Sequence, residues 1–104
     1  MSSLPSEEND ILLDEDQDVV TVDRYRVLLH NDDYTTMDFV IMVLRKIFLK
    51  TTEQAETIMW KVHQDGVGVC GIYVYEVAET KLKKTESLAR KEGFPLKVTL
   101  EKEE

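Results

Sequence analysis

The chain has a single cysteine, Cys70, so it can form no internal disulfide. It has two histidines, His30 and His63, far apart in sequence, and no Cys/His cluster with zinc-ligand spacing. No apolar run approaches the roughly 18 residues needed to cross a bilayer. The first residues lack the basic and apolar regions of a secretory signal, and their acidity is unlike a basic transit peptide. There is no nucleophile elbow, no phosphate-binding glycine loop and no His-Glu-x-x-His helix. These absences predict a cytoplasmic protein with Cys70 reduced, no cofactor, no metal and no catalytic centre.

Basic residues are also missing from residues 1–23, which carry Glu7, Glu8, Asp10, Asp14, Glu15, Asp16, Asp18 and Asp23. The whole formal net charge of -8 therefore resides there. Such a segment repels phosphates, which argues against a nucleic-acid partner. One charge sign and low hydrophobicity predict disorder up to about residue 20. Ile11, Leu12 and Leu13 interrupt it and are suited to a transient contact. A solubilising tail and a tether for a partner are both open readings. The expected organisation is a flexible extension over 1–22 and a single domain over 23–104.

What is present is enough for one core: 104 residues, 42% of them hydrophobic. Residues 24–30 alternate, with Tyr25, Val27 and Leu29 on one side, and predict a half-buried strand. Asn31, Asp32 and Asp33 then predict a turn. Thr35 reads as the cap of a helix, with Asp38 at its third position. Met37, Val40, Ile41, Leu44 and Phe48 form one apolar line, and Phe39, Val43 and Ile47 a second, so this helix is buried on more than one side. Thr51 and Gln54 form a capping box for a second helix with the stripe Ala55, Ile58, Met59 and Val62, ended by Gly66. Residues 67–75 predict a strand, with Cys70, Ile72 and Val74 on one face and Val69, Tyr73 and Tyr75 on the other. Gly68 and Gly71 mark bulge or close-approach sites. Residues 76–92 predict a third helix stopped by Gly93 and Pro95. Leu96, Val98 and Leu100 alternate in a last strand. The order β-α-α-β-α-β predicts an α+β fold, a three-stranded antiparallel sheet packed against three helices.

The adjacent carboxylates of Asp32 and Asp33 repel each other, so a compensating cation is the functional reading of this turn and a helix-starting Asx turn the structural one. A metal would want more ligands than the turn offers, even with His30 and His63. An ammonium group fits better, since it offers three donors to carboxylate, amide and imidazole acceptors. His63 follows Met59 and Val62 on one helical face, which places a polar tip beside an apolar surface. Met37 and Met59 read either as core or as walls of an adaptable pocket. Cys70, inside a strand, reads as a small core residue, against a Cys70–His63 dyad.

These residues carry a resemblance. Val27-Leu28-Leu29-His30-Asn31-Asp32-Asp33-Tyr34-Thr35, then Met37-Asp38-Phe39-Val40, closely resembles the ClpS adaptor family. So do Val62-His63, Gly66 through Gly71, and Glu76-Val77-Ala78-Glu79-Thr80-Lys81. The similarity runs over about residues 24–101. It implies a non-enzymatic adaptor of the N-end rule pathway, which binds proteins beginning with Leu, Phe, Tyr or Trp and delivers them to the ClpA-type AAA+ unfoldase of the ClpP protease. It implies that Asn31, Asp32 and His63 bind the α-amino group. Met37, Val40, Met59, Val62 and Leu96 would form the pocket for the first side chain, bordered by Asp33 and Thr35. Glu76 and Lys81 would dock on the N-terminal domain of the unfoldase, and the tail would serve delivery. A monomer without membrane or nucleic-acid partners is implied.

The energetics agree. A charge-assisted hydrogen bond contributes roughly 1.5–3 kcal/mol, and burial of a Leu or Phe side chain about 1.5–3 kcal/mol. Micromolar affinity needs about 8 kcal/mol, so amine and side chain are both required.

The chain departs from the family pattern at Thr36, where relatives often carry proline, and at Asp38, where glutamate is more usual. Trp60 replaces a smaller residue, suited to shielding the pocket rim or meeting a partner. Three other readings compete: a regulator that docks on the unfoldase without binding N-termini, a small hydrolase or metal-dependent enzyme using Cys70, His63 and the Asp32–Asp33 pair, and an oligomerisation module.

Overall fold

A computed structural model describes residues 11–13 and 19–104. In chain order it comprises β1 (Ile11–Leu13), β2 (Val19–Thr21), β3 (Arg24–His30), α1 (Met37–Lys46), α2 (Thr52–Asp65), β4 (Val67–Val74), α3 (Tyr75–Glu92) and β5 (Lys97–Lys102). β1 and β2 pair with each other as an antiparallel ribbon. A ribbon of two strands is marginal in water without further packing. The rest of the acidic tail predicted to be disordered lies outside the described residues.

From β3 onward the order is the predicted β-α-α-β-α-β, and the sheet is fully antiparallel in the order β4-β3-β5. The central strand owes its place to its sequence: Val27 and Leu29 are wholly buried on the inner face. They meet Phe39, Val40, Val43 and Leu44 of α1, Ala55, Met59 and Val62 of α2, and Ala78 and Ala89 of α3 in one core. α1 is buried along two lines, as its two apolar lines predict, although Phe48 of its apolar pattern falls just beyond its end.

Two local expectations change. The cap of α1 is Thr36, whose hydroxyl accepts the Phe39 N–H at 3.1 Å, not Thr35. The face assignment in β4 also breaks. Val27 pairs with Gly71 and Leu28 with Val69, so Cys70 is an extra residue without a direct partner, a β-bulge. The bulge reverses the alternation. Cys70 and Tyr73 both pack inward, whereas Ile72 and Val74 pair with Arg26 and Arg24 on the opposite face. In α3 the inner stripe includes Thr85, fully buried, its hydroxyl donating to the Lys81 carbonyl at 2.8 Å. Among the described residues no helix is long and apolar enough to cross a membrane.

Candidate functional site

The turn after β3, the start of α1 and the second half of α2 build one cavity. Its volume is about 260 Å³, and it is lined by Asn31, Asp32, Asp33, Thr35, Met37, Val40, Met59, Val62 and His63. Two stretches far apart in sequence, 31–40 and 59–63, supply these residues. The bond that joins them runs from the Asn31 N–H to the Gly66 carbonyl at 2.9 Å. Gly66 caps α2 with φ of 88°, a left-handed conformation suited to glycine, and its own N–H donates to the Val62 carbonyl. The start of α2 is held by the predicted capping box of Thr51 and Gln54. Gly68 brings β4 close behind the cavity: a Cβ there would lie 2.7 Å from Val62 Cγ2. Val62 is thereby held as an apolar wall.

Asp32 organises the turn. Its Oδ1 accepts the Tyr34 N–H at 2.8 Å and the Thr35 N–H at 2.7 Å, and its Oδ2 accepts the Thr35 hydroxyl at 2.7 Å. Partial burial pushes the Asp32 carboxyl up. The bonds from the Thr35 N–H, the Thr35 hydroxyl and the Tyr34 N–H outweigh that effect and hold it below the usual carboxylate range. The site therefore keeps a fixed anionic group at neutral pH. Asn31, Asp33 and His63 are exposed at the mouth, while Val40, Met59 and Val62 are buried in the floor. Met37 stands at the rim, 40% exposed. An apolar floor below a ring of acceptors is suited to a group with a hydrophobic body and a cationic end.

Of the ten residues expected at the amine and side-chain sites, nine line this cavity. Leu96 does not: it is buried in the core ahead of β5. His30, considered as a further ligand, bonds through Nε2 to the Thr99 hydroxyl at 2.8 Å and is absent from the cavity wall. Of the two residues expected at the docking surface, Glu76 is exposed in the first turn of α3. Lys81 turns inward: its Nζ donates to the carbonyl of Ile47, the C-cap of α1, at 2.7 Å, and lies over the Tyr73 and Phe48 rings at 5.3 and 5.8 Å. Burial, and then the neighbouring Lys84, lower its pKa. Exposed Tyr75 and Val77 flank Glu76, which a search for charged residues passes over.

The catalytic alternatives lose their groups. Cys70 is wholly buried, and burial pushes its thiol up to about 12. Cys70 is also absent from the cavity that His63 lines, so the two form no dyad there. Among the described residues no group of three or more His, Cys, Asp or Glu could hold a metal ion. Two more open hollows, of about 320 and 540 Å³, lie along residues 50–58 and 38–46 and gather no comparable set of acceptors.

The chain is similar over most of its length to known proteins. Residues 21–99 match the family described as ATP-dependent Clp protease adaptor protein ClpS. A ClpS adapter protein of Nitratidesulfovibrio vulgaris is 53% identical over 97 residues, covering 93% of this chain and 91% of the relative. The ClpS adapter protein of Lawsonia intracellularis is 60% identical over 77 residues, 74% of this chain and 71% of the relative. Among solved structures, ClpS2 of Agrobacterium tumefaciens bound to L-phenylalaninamide superposes with a TM-score of 0.75 at 37% identity, over 78% of this chain and 98% of that protein. The chain belongs to the ClpS family of Clp protease adaptor proteins, which are adaptors and not enzymes.

Proposed function

We propose that the cavity captures the free N-terminus of a protein beginning with Leu, Phe, Tyr or Trp, and that the chain delivers it to a ClpA-type AAA+ unfoldase of the ClpP protease. The observation that carries this reading is the convergence of Asn31, Asp32, Asp33 and His63 at the mouth of an apolar cavity. An α-amino group has an ordinary pKa near 8 and is mostly an ammonium at pH 7. Asn31, Asp32 and His63 accept its three N–H donors. The first side chain descends between Met37, Val40, Met59 and Val62. A cavity of about 150 Å³ suffices for benzene, so 260 Å³ has room for an aromatic side chain. The ClpS2 structure adds support, because its ligand, L-phenylalaninamide, pairs a free amine with an aromatic side chain.

In this reading residues 23–104 are the adaptor domain, a monomer working in the cytoplasm, and residues 1–22 serve delivery. The exposed start of α3, with Glu76, Tyr75 and Val77, meets the N-terminal domain of the unfoldase, and Lys81 holds that face in place from behind.

The test is fluorescence anisotropy with labelled peptides beginning Leu, Phe, Tyr, Trp, Ile or Ala, and an acetylated Phe control. Selective binding of free Leu or aromatic N-termini is the expected result. Failure of all peptides would overturn it and leave the regulator that docks without reading N-termini.

A further inference from the structure

Trp60, the sole tryptophan of the chain, is 48% exposed and absent from the cavity wall. Its ring nevertheless meets His63 edge to face, with centroids 5.8 Å apart and planes at 77°. This is the favoured geometry of an aromatic pair. The two residues are i and i+3 neighbours on α2. At about 100° per residue, Trp60 lies about 60° beyond His63 around the helix, on the side away from Val62. His63 is thus flanked by the cavity on one side and by the indole on the other.

We propose that Trp60 is a positioning residue: it braces the His63 imidazole toward the cavity mouth and so raises affinity for the amine without touching the ligand. This rests on the N-terminus-binding reading above. An exposed imidazole on a helix samples several rotamers, and a ligand that needs one of them loses affinity through the ordering. Among the described residues the Trp60 ring is the partner that restricts His63 before any ligand arrives.

Two measurements test it. The first is the affinity of a labelled Phe-initial peptide for wild type, Trp60→Ala, Trp60→Phe, His63→Ala and the Trp60→Ala/His63→Ala double variant. Trp60→Ala weakens binding about threefold to tenfold, the range of one aromatic pair. Trp60→Phe keeps a ring and stays within about twofold. In the His63→Ala background, Trp60→Ala has no further effect, because the contribution runs through His63. An equal loss in both backgrounds would overturn the proposal, since it would mean that Trp60 touches the ligand itself. So would full affinity in Trp60→Ala.

The second measurement is the NMR three-bond couplings that report the His63 χ1 rotamer in the free protein. They indicate one rotamer in wild type and Trp60→Phe and an average in Trp60→Ala, while His30, bonded to Thr99, is unchanged. Unchanged His63 couplings in Trp60→Ala would overturn the proposal even where peptide binding falls below detection. Failure of wild type to bind any Phe-initial peptide is the separate failure of the functional reading.

Discussion

The Asn31 N–H donates to the Gly66 carbonyl at 2.9 Å, and this bond joins the two halves of the site. It ties the turn that carries Asn31, Asp32 and Asp33 to the end of the helix that carries His63. Gly66 holds φ of 88°, and nothing lies within 4 Å of the point where a Cβ would stand, so its requirement is conformational and not steric. Gly66→Ala therefore costs about 1 kcal/mol. Thermal unfolding should fall by about 4–8 °C for a domain of this size. Peptide affinity should fall too, because the Gly66 carbonyl positions Asn31. Unchanged melting would contradict the assignment.

Asp32 gives a pH dependence of known sign. Its folded carboxyl titrates below the ordinary value near 3.9. The stability it contributes is complete above that unfolded value and is lost as pH falls through the folded one. Asp32→Asn keeps an Oδ1 acceptor for the two backbone donors but removes the charge. The melting-temperature gap between wild type and Asp32→Asn should be constant near neutrality and should shrink below about pH 3–4. A gap that widens in acid would reverse the sign. Asp32→Ala is the harsher change, because it also strips acceptors from the Tyr34 and Thr35 N–H groups.

Thr36 supplies a cap. Loss of its hydroxyl in Thr36→Ala should cost about 1 kcal/mol. Thr36→Pro loses the same hydroxyl, but the native φ of -75° suits proline, which recovers about 0.4–1 kcal/mol through the unfolded chain. The melting order should be wild type, then Thr36→Pro, then Thr36→Ala. Differential scanning calorimetry gives the order directly, and a proline variant below alanine would refute it.

Cys70 should be silent. With the thiol raised to about 12 and no exposed surface, native protein at pH 8 should resist alkylation and react only in denaturant. Mass spectrometry after iodoacetamide treatment reads this out. Rapid native labelling would restore Cys70 as a reactive group.

Much of this was legible in the sequence where the signal is local. Residues 24–30 alternate and form β3; Thr51 and Gln54 form their box; Gly66 stops α2. The cavity was legible for a different reason: its residues cluster in two short stretches that the family resemblance aligns. What stayed hidden depends on distant partners. Gly68 and Gly71 flag a bulge in β4, but its exact place at Cys70, and the reversal of faces it causes, follow from how β4 matches β3. The bond from Lys81 to the carbonyl of Ile47, far away in sequence, has no local signal. Leu96 fits an apolar pattern equally well whether it lines the cavity or the core, and only packing decides. The shift of the α1 cap from Thr35 to Thr36 has a local cause: Asp32 claims the Thr35 hydroxyl.

The most direct test of the central claim is an NMR amide-shift titration with a Phe-initial peptide, run beside its acetylated twin. Saturable shifts are expected at Asn31, Asp32, Met59, Val62 and His63 with the free amine, and no saturation with the acetylated peptide. Shifts centred on Ile41, Met42 and Arg45, or equal shifts with both peptides, would contradict it.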